Sequence, residues 1–303
     1  MRIDNLHNEF LAYLELERDY SPHTISSYRS DFRSFLQFLA SEGVLPELDQ
    51  VDRSTVRRYL AWLHDRGVSS ATIVRRIDSL RSFWNYLRES EYTESDPFFR
   101  ISVRKRPART PTHLSLEEAQ GLLAAAGRQG SLFNAFRDTA VLTVLLCTGI
   151  RRSELLSLTL DALDLDGGTL QVTAGKGSKS RVLPLLPAAC TALADWLELR
   201  PDCGHDRVFT SKWGAPLSTN GLSSLLKRAL GASGITKSGI TLHSLRHTFA
   251  CLLLKSGCDL YSLQRMLGHS RLDTTAVYLH ATVEDLRAAA AKHPLNQLGS
   301  EAH

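Results

Sequence analysis

Helical periodicity stops between Pro97 and His113, and no other feature constrains the fold as strongly. The stretch PFFRISVRKRPARTPTH holds Pro97, Pro107 and Pro111 and has no sustained period. Proline lacks the backbone donor and biases its predecessor away from the helical region, so the segment reads as an extended linker. A chain of 303 residues is also too long for one ordinary core. Two domains are therefore predicted: residues 1–96 as a helical bundle, 97–113 as a basic linker, and 114–303 as a second domain.

Four amphipathic stripes fill the first domain. Leu6, Phe10 and Leu14 recur at four-residue steps. Ser21-Pro22 is an N-cap followed by proline at the first helical position, and Ile25, Tyr28, Phe32, Phe35 and Leu39 follow as the stripe, closed at Gly43. Asp52 caps a third helix with Val56, Leu60 and Leu63, stopped at Gly67. Ser69 or Ser70 opens a fourth, with Ile73, Ile77, Leu80, Trp84 and Leu87 inward. Short connections between four short helices predict a small bundle, and aromatics at helical spacing belong to its core.

Net charge is only +4, but it is unevenly spread. Met1–Asp52 holds four basic residues against ten acidic ones, whereas Arg53–Arg88 holds eight against two. Pro97–His113 adds five basic residues and no acid. Arg53, Arg57 and Arg58 on the third helix, and Arg75, Arg76 and Arg81 on the fourth, form basic faces suited to a DNA backbone. Arg104, Lys105, Arg106 and Arg109 make the linker a candidate phosphate-tracking strap. Five cysteines with no C-x-x-C pair give neither a disulfide framework nor a zinc knuckle, and Cys147 and Cys251 read as small core residues. No apolar run reaches the ~18 residues of a membrane span, and the N-terminus has no signal-like apolar core. A soluble, cytoplasmic protein is expected.

In the second domain, Ser115 with Glu118 forms a capping box. Leu132–Cys147 is apolar on most faces and should be buried, ending at Thr148-Gly149. Directly after it, Arg151 has Glu154 three residues on, a spacing that holds an inward arginine but also occurs in surface pairs. Thr169–Thr173 and Arg181–Leu185 read as a hairpin around Gly175-Lys176-Gly177, whose tip lacks the spacing of a P-loop. Helices are predicted from Pro187, from Ser218, over His243–Ser256, over Leu260–Leu267, around Tyr278, and over Val283–Lys292.

The segment Leu242–His280 concentrates chemistry. His243 and Arg246 share a helix face, His269 follows in Leu-Gly-His-Ser, and Tyr278 lies nine residues beyond it. Guanidinium and imidazole groups donate to phosphate oxygens, and the phenol is the nucleophile available, so attack on a phosphodiester is expected. His243 and His247 have zinc-binding spacing, but the glutamate of H-E-x-x-H and a third ligand are missing, so no metal or other cofactor is expected.

TGIRRSEL at Thr148–Leu155, GKG at Gly175–Gly177, HSLRH at His243–His247, LGHS at Leu267–Ser270, and Tyr278 in TTAVYLH together resemble the tyrosine recombinases, most closely their Xer-like branch. The resemblance spans essentially the whole chain. It implies a mainly α protein with a small β-sheet: a SAM-like helical core-binding domain, then a mixed α/β catalytic domain ending in an interaction helix. It also implies that Arg151 and Arg246 bind the scissile phosphate, and that Lys176 protonates the leaving 5′-hydroxyl. His243 would orient the phosphate and assist proton transfer, His269 would donate to a phosphate oxygen, and Glu154 would support the first arginine. Tyr278 would form the 3′-phosphotyrosine. A second arginine, Arg152, stands where a smaller residue is expected, and the motif favours Arg151. The implied partners are double-stranded DNA at a specific site and a homo- or hetero-tetramer, with a paralogous recombinase and a septal DNA translocase as further candidates.

The resulting expectation is a site-specific recombinase resolving chromosome or plasmid dimers. An integrase or transposon recombinase of a mobile element shares the chemistry. The absence of room for an arm-binding domain before the bundle favours the simpler form. A relaxing topoisomerase and a non-catalytic DNA-binding protein are the remaining alternatives, and the full set of polar site residues speaks against the latter.

Overall fold

The computed structural model describes residues 1–103, 112–173 and 180–268. The strap residues Arg104, Lys105, Arg106 and Arg109, the hairpin tip with Lys176, and everything from His269 onward, including Tyr278 and the predicted Val283–Lys292 helix, lie outside them. Among the described residues no helix is long and apolar enough to cross a membrane. Residues up to Val103 belong to one compact unit and those from Thr112 to another.

The first unit contains α1 (Ile3–Leu16), α2 (Pro22–Ser41), α3 (Arg53–Asp65) and α4 (Ser70–Glu89). The caps fall where the sequence signals them. Ser21 Oγ accepts from the Thr24 amide, Asp52 Oδ1 from that of Thr55 at 2.7 Å, and Ser69 Oγ from that of Thr72. Gly43 and Gly67 follow α2 and α3 with φ of 66° and 67°, the left-handed conformation that ends a helix. Every residue of the predicted stripes is buried except Tyr28 and Leu60, which are half-buried. Phe38, Tyr59 and Phe83 also belong to the core. The core extends beyond residue 96: Phe98 and Ile101 join it, with the Phe98 ring 5.3 Å from that of Trp84. The first linker residues thus dock on the bundle, because two apolar side chains among the arginines gain more by burial than by extending into water.

His7 is a charge-capable group inside this core. Its ring stacks on Phe32 at 3.8 Å with planes 4° apart, and it meets the edge of Phe83. Burial, with a smaller contribution from Arg29, pushes its pKa down to about 3. A histidine depressed in the folded state contributes its full stability above its unfolded pKa of ~6.5 and loses it as the pH falls towards 3, by about 1.4 kcal/mol per pH unit. His7→Phe keeps the stack and cannot take up a proton. Chemical unfolding of the full chain at pH 7 and pH 5 is expected to show a flatter pH dependence in the variant. Equal slopes would rule out His7 as the source.

The second unit is built around α6 (Leu132–Thr148), which packs against α5 (Leu116–Gly127), α8 (Pro187–Leu199) and α10 (Leu242–Lys255). The further helices are α7 (Arg152–Ser157), α9 (Thr219–Ser233) and α11 (Leu260–Leu267). The predicted hairpin is present as β2 (Thr169–Val172) and β3 (Arg181–Pro184), and a two-residue strand β1 (Leu163–Asp164) adds an antiparallel edge to β2. β1 is too short to show a period, so no sequence pattern marks it. Leu170, Val172 and Leu183 face the core while Val182 is exposed. This alternation places Arg181, two residues before Leu183, on the inner face of the sheet.

Candidate active site

The site begins at the end of α6. Gly149 turns out of the helix with φ of 62°, and a Cβ there would lie 2.3 Å from Phe249 Cδ1 on α10. Glycine is therefore required both by conformation and by the close approach of α10. The turn buries Ile150 and delivers Arg151 at the N-cap of α7. Glu154, in the first turn of α7, is buried and accepts from the Arg151 amide at 2.7 Å and the Arg151 guanidinium at 3.0 Å. Glu154, the expected supporting acid, is thus in direct contact with Arg151.

A residue that sequence reasoning missed completes the support. Both terminal nitrogens of Arg181 fork onto Glu154, at 2.9 Å each, with the side chain only 10% exposed. Burial raises the Glu154 carboxyl, but the Arg181 hydrogen bonds, the Arg151 amide and the charges of both guanidiniums outweigh it. Together they hold the pKa at about 2. The strand phase that puts Arg181 alongside Leu183 is the sequence signal that would have found it.

Three arginines then converge on the C-terminal end of α11. Arg181 Nε donates to Met266 O at 2.8 Å, Arg246 to Leu267 O at 2.6 Å, and Arg151 to Gly268 O at 3.0 Å. Arg246, buried on α10, also donates to Gly149 O at 2.7 Å. The last carbonyls of a helix lack intrahelical partners and carry the negative end of its dipole, so each guanidinium satisfies an acceptor and a favourable charge contact together. Gly268 has φ of 66°, and a Cβ on it would sit 3.0 Å from Arg181, so the close fit needs glycine. This network fixes the residue immediately before His269.

A cleft of about 760 Å³ opens beside the network, lined by Arg151, Arg152, Ser153, Lys227, His243 and Arg246 among others. Three of the six predicted catalytic residues, Arg151, His243 and Arg246, thus share one basic cavity. Lys176, His269 and Tyr278 lie outside the described residues. Arg151 is the half-buried member of its pair and Arg152 is exposed, yet both reach the cleft. A guanidinium carries five donors, and Arg151 uses one terminal nitrogen on Glu154 and the other on Gly268 O, each through one of two hydrogens. Cations held in place by such contacts are suited to an anion that gains charge during reaction.

The arginines predicted to face DNA divide by their contacts. Arg75 pairs with the buried Asp31, and Arg76 donates to Ser34 Oγ at 2.8 Å. Burial raises the Asp31 carboxyl, and these two arginines oppose that shift. Arg58 pairs with Glu42, Arg81 donates to Ile101 O and Asp78, and Arg53 lies over the Phe99 ring. Arg57 is exposed. Much of the apparent basic face therefore also holds the bundle together, and the Arg75 and Arg58 side chains remain about half exposed.

Residues 113–285 match the phage integrase family, and residues 8–91 match its N-terminal SAM-like domain. The chain belongs to this family of tyrosine recombinases, with the helical bundle and mixed catalytic fold expected of it. Among its relatives, tyrosine recombinase XerD of Listeria monocytogenes serotype 4b is 36% identical over 286 residues, covering 92% of this chain and 95% of that one. Tyrosine recombinase XerC of Listeria innocua is 35% identical over 294 residues, covering 95% and 97%. A crystal structure of the XerH site-specific recombinase bound to palindromic difH substrate, a post-cleavage complex, superposes with a TM-score of 0.75 at 25% identity, over 91% of this chain and 81% of that one. The protein is accordingly a Xer-like site-specific recombinase, an enzyme that cleaves and rejoins DNA.

Proposed function

We propose that this recombinase acts on double-stranded DNA at a specific site through a 3′-phosphotyrosine on Tyr278, and that its role is resolution of chromosome or plasmid dimers. The convergence of Arg151 and Arg246 on one cleft with His243, held by Glu154, Arg181 and the end of α11, carries this reading. In it, Arg151 and Arg246 hold the non-bridging oxygens of the scissile phosphate. The Tyr278 oxygen bonds to phosphorus while the bond to the 5′-oxygen breaks. Lys176 supplies the proton that the 5′-oxygen needs, and His243 assists in moving the phenol's proton. His269, directly after the arginine-capped carbonyls, donates to a phosphate oxygen. The phosphodiester's energy stays in the phosphotyrosine, so a second 5′-hydroxyl reverses the step without metal or nucleotide.

Exchange between two duplexes needs two cuts per site, hence four protomers, either four copies or pairs with a paralogous recombinase. The Val283–Lys292 segment is the reciprocal contact in this scheme, and a septal DNA translocase would be the activator. Residues 1–96 and the 97–113 strap clamp DNA from a cytoplasmic enzyme, with 114–303 performing the chemistry. Relatives named XerD and XerC, and a neighbour solved on its difH substrate, support this assignment over a mobile-element role.

A nicked duplex carrying a site selected from the host genome tests it. The wild type is expected to accumulate a covalent protein–DNA adduct, undiminished by chelator, with the DNA mapped by peptide mass spectrometry to Tyr278. An adduct on another residue, or none on any selected site, would overturn the reading.

A further inference from the structure

The mechanism leaves one cluster of metal-ligating side chains unused. His247 and Cys251 lie one turn apart on α10, and His113 approaches them from the segment before α5. The candidate ligand atoms of the three residues all lie within 4.8 Å of one another. Cys251 Sγ is 3.7 Å from His247 Nε2 and 3.9 Å from its Nδ1. Tetrahedral zinc, with Zn–S of about 2.3 Å and Zn–N of about 2.0 Å, sets sulfur and nitrogen roughly 3.6 Å apart. The two imidazoles do not stack: their centroids are 5.4 Å apart and their planes 84° to each other. That disposition lets both rings turn a nitrogen to one point.

The approach of His113 is built. The Leu114 amide donates to Thr248 Oγ1 at 2.9 Å, and Leu114 itself is fully buried. The His113 carbonyl accepts from Lys237 Nζ at 3.2 Å, and the same ammonium pairs with Glu118 at 2.6 Å. The peptide that joins His113 to Leu114 is therefore held through both its carbonyl and its amide. His247 is buried, while His113 and Cys251 are partly exposed and give an ion a route in. Cys251, expected from sequence to be a small core residue, is thus half-buried against an imidazole instead. The zinc-like spacing noticed in the sequence was His243 with His247, but His243 is exposed and lines the cleft. The third ligand comes from 134 residues before His247, a distance no local pattern spans.

We infer that His113, His247 and Cys251 form a binding site for a borderline-soft divalent cation, Zn²⁺ by the chemistry of an N₂S donor set. Three protein ligands leave one coordination position to water or another donor. Binding takes the thiol as thiolate and releases its proton to solvent. The ion fastens the segment entering the catalytic unit to α10, one residue from Arg246. It takes no part in strand cleavage.

Cobalt supplies the test, because a thiolate ligand gives Co²⁺ a near-ultraviolet charge-transfer band and tetrahedral geometry gives strong visible bands. Metal-free full-length protein under reducing conditions is expected to bind one equivalent of Co²⁺ with both signatures, and Zn²⁺ to bleach them. Cys251→Ser should lose the charge-transfer band, and His113→Ala should weaken Co²⁺ binding at least about tenfold. Cys203→Ser, beside the unrelated His205, should change neither. Circular dichroism confirms that each variant is folded, and Zn²⁺ should raise the Tm of the wild type but not of Cys251→Ser. Absence of the charge-transfer band in the wild type, its survival in Cys251→Ser, or its loss in Cys203→Ser would each overturn the assignment.

Discussion

Tyr278→Phe is expected to bind its DNA site as tightly as the wild type and to form no covalent adduct at all. The two outcomes separate because they depend on different groups. Affinity for a duplex comes mainly from cations neutralising phosphates, and removing one phenol oxygen changes none of them. Bond formation, in the proposed mechanism, depends entirely on that oxygen. Its free pKa is about 10, so at neutral pH the site must lower the cost of ionising it. In the proposed mechanism Arg151 and Arg246 do so indirectly, by offsetting charge on the phosphate oxygens that the attack increases. With phenylalanine in place, the cations and the phosphate remain but nothing bonds to phosphorus. Adduct yield on a nicked duplex, read against equilibrium binding to the same DNA, checks both halves. A residual adduct in the variant would assign the nucleophile elsewhere; a large loss of binding would mean that Tyr278 holds DNA as well as attacks it.

The helices and their ends were legible because local physics writes them. Ser21-Pro22, Asp52, Ser69 and the Ser115–Glu118 box each act within four residues, and each cap bond is present. The Arg151–Glu154 pair was legible for the same reason. What stayed hidden acts over long separations or through backbone. Arg181 meets Glu154 across 27 residues, and it follows a basic hairpin tip, where another arginine resembles a solvated one. The acceptors on Met266, Leu267 and Gly268 are carbonyls, which leave no residue type to read. Asp31 hid the structural work of Arg75 and Arg76, because an acid on a helix with polar neighbours gives no sign that it is buried. Phe98 and Ile101 were masked by the prolines and arginines around them.

Glu154→Gln is expected to destabilise the catalytic unit by about 3–5 kcal/mol near neutral pH, the usual penalty for removing one partner of a buried ion pair. The amide keeps the shape of the carboxylate but not its charge, so Arg181 is left buried against a neutral group. It also offers one oxygen where the arginine fork uses two. The pH dependence identifies the cause. The wild-type carboxyl titrates at about 2 in the folded protein, below its unfolded value. Its contribution, about 3 kcal/mol from that difference, is complete above roughly pH 4.5 and declines as the pH falls towards 2. The gap between wild type and Glu154→Gln should therefore narrow on acidification, as measured by chemical unfolding at pH 7 and pH 3.5. Arg181→Met alone should also destabilise by leaving Glu154 short of a partner, and the double variant should lose less than the two single changes added. The same network ties Arg151 and Arg246 to successive carbonyls of α11, so Glu154→Gln should slow adduct formation at temperatures where the protein remains folded. A stability within about 0.5 kcal/mol of wild type at pH 7 would show that Arg151 and the α11 carbonyls hold Arg181 without the acid. A pH-independent loss would point to packing rather than charge.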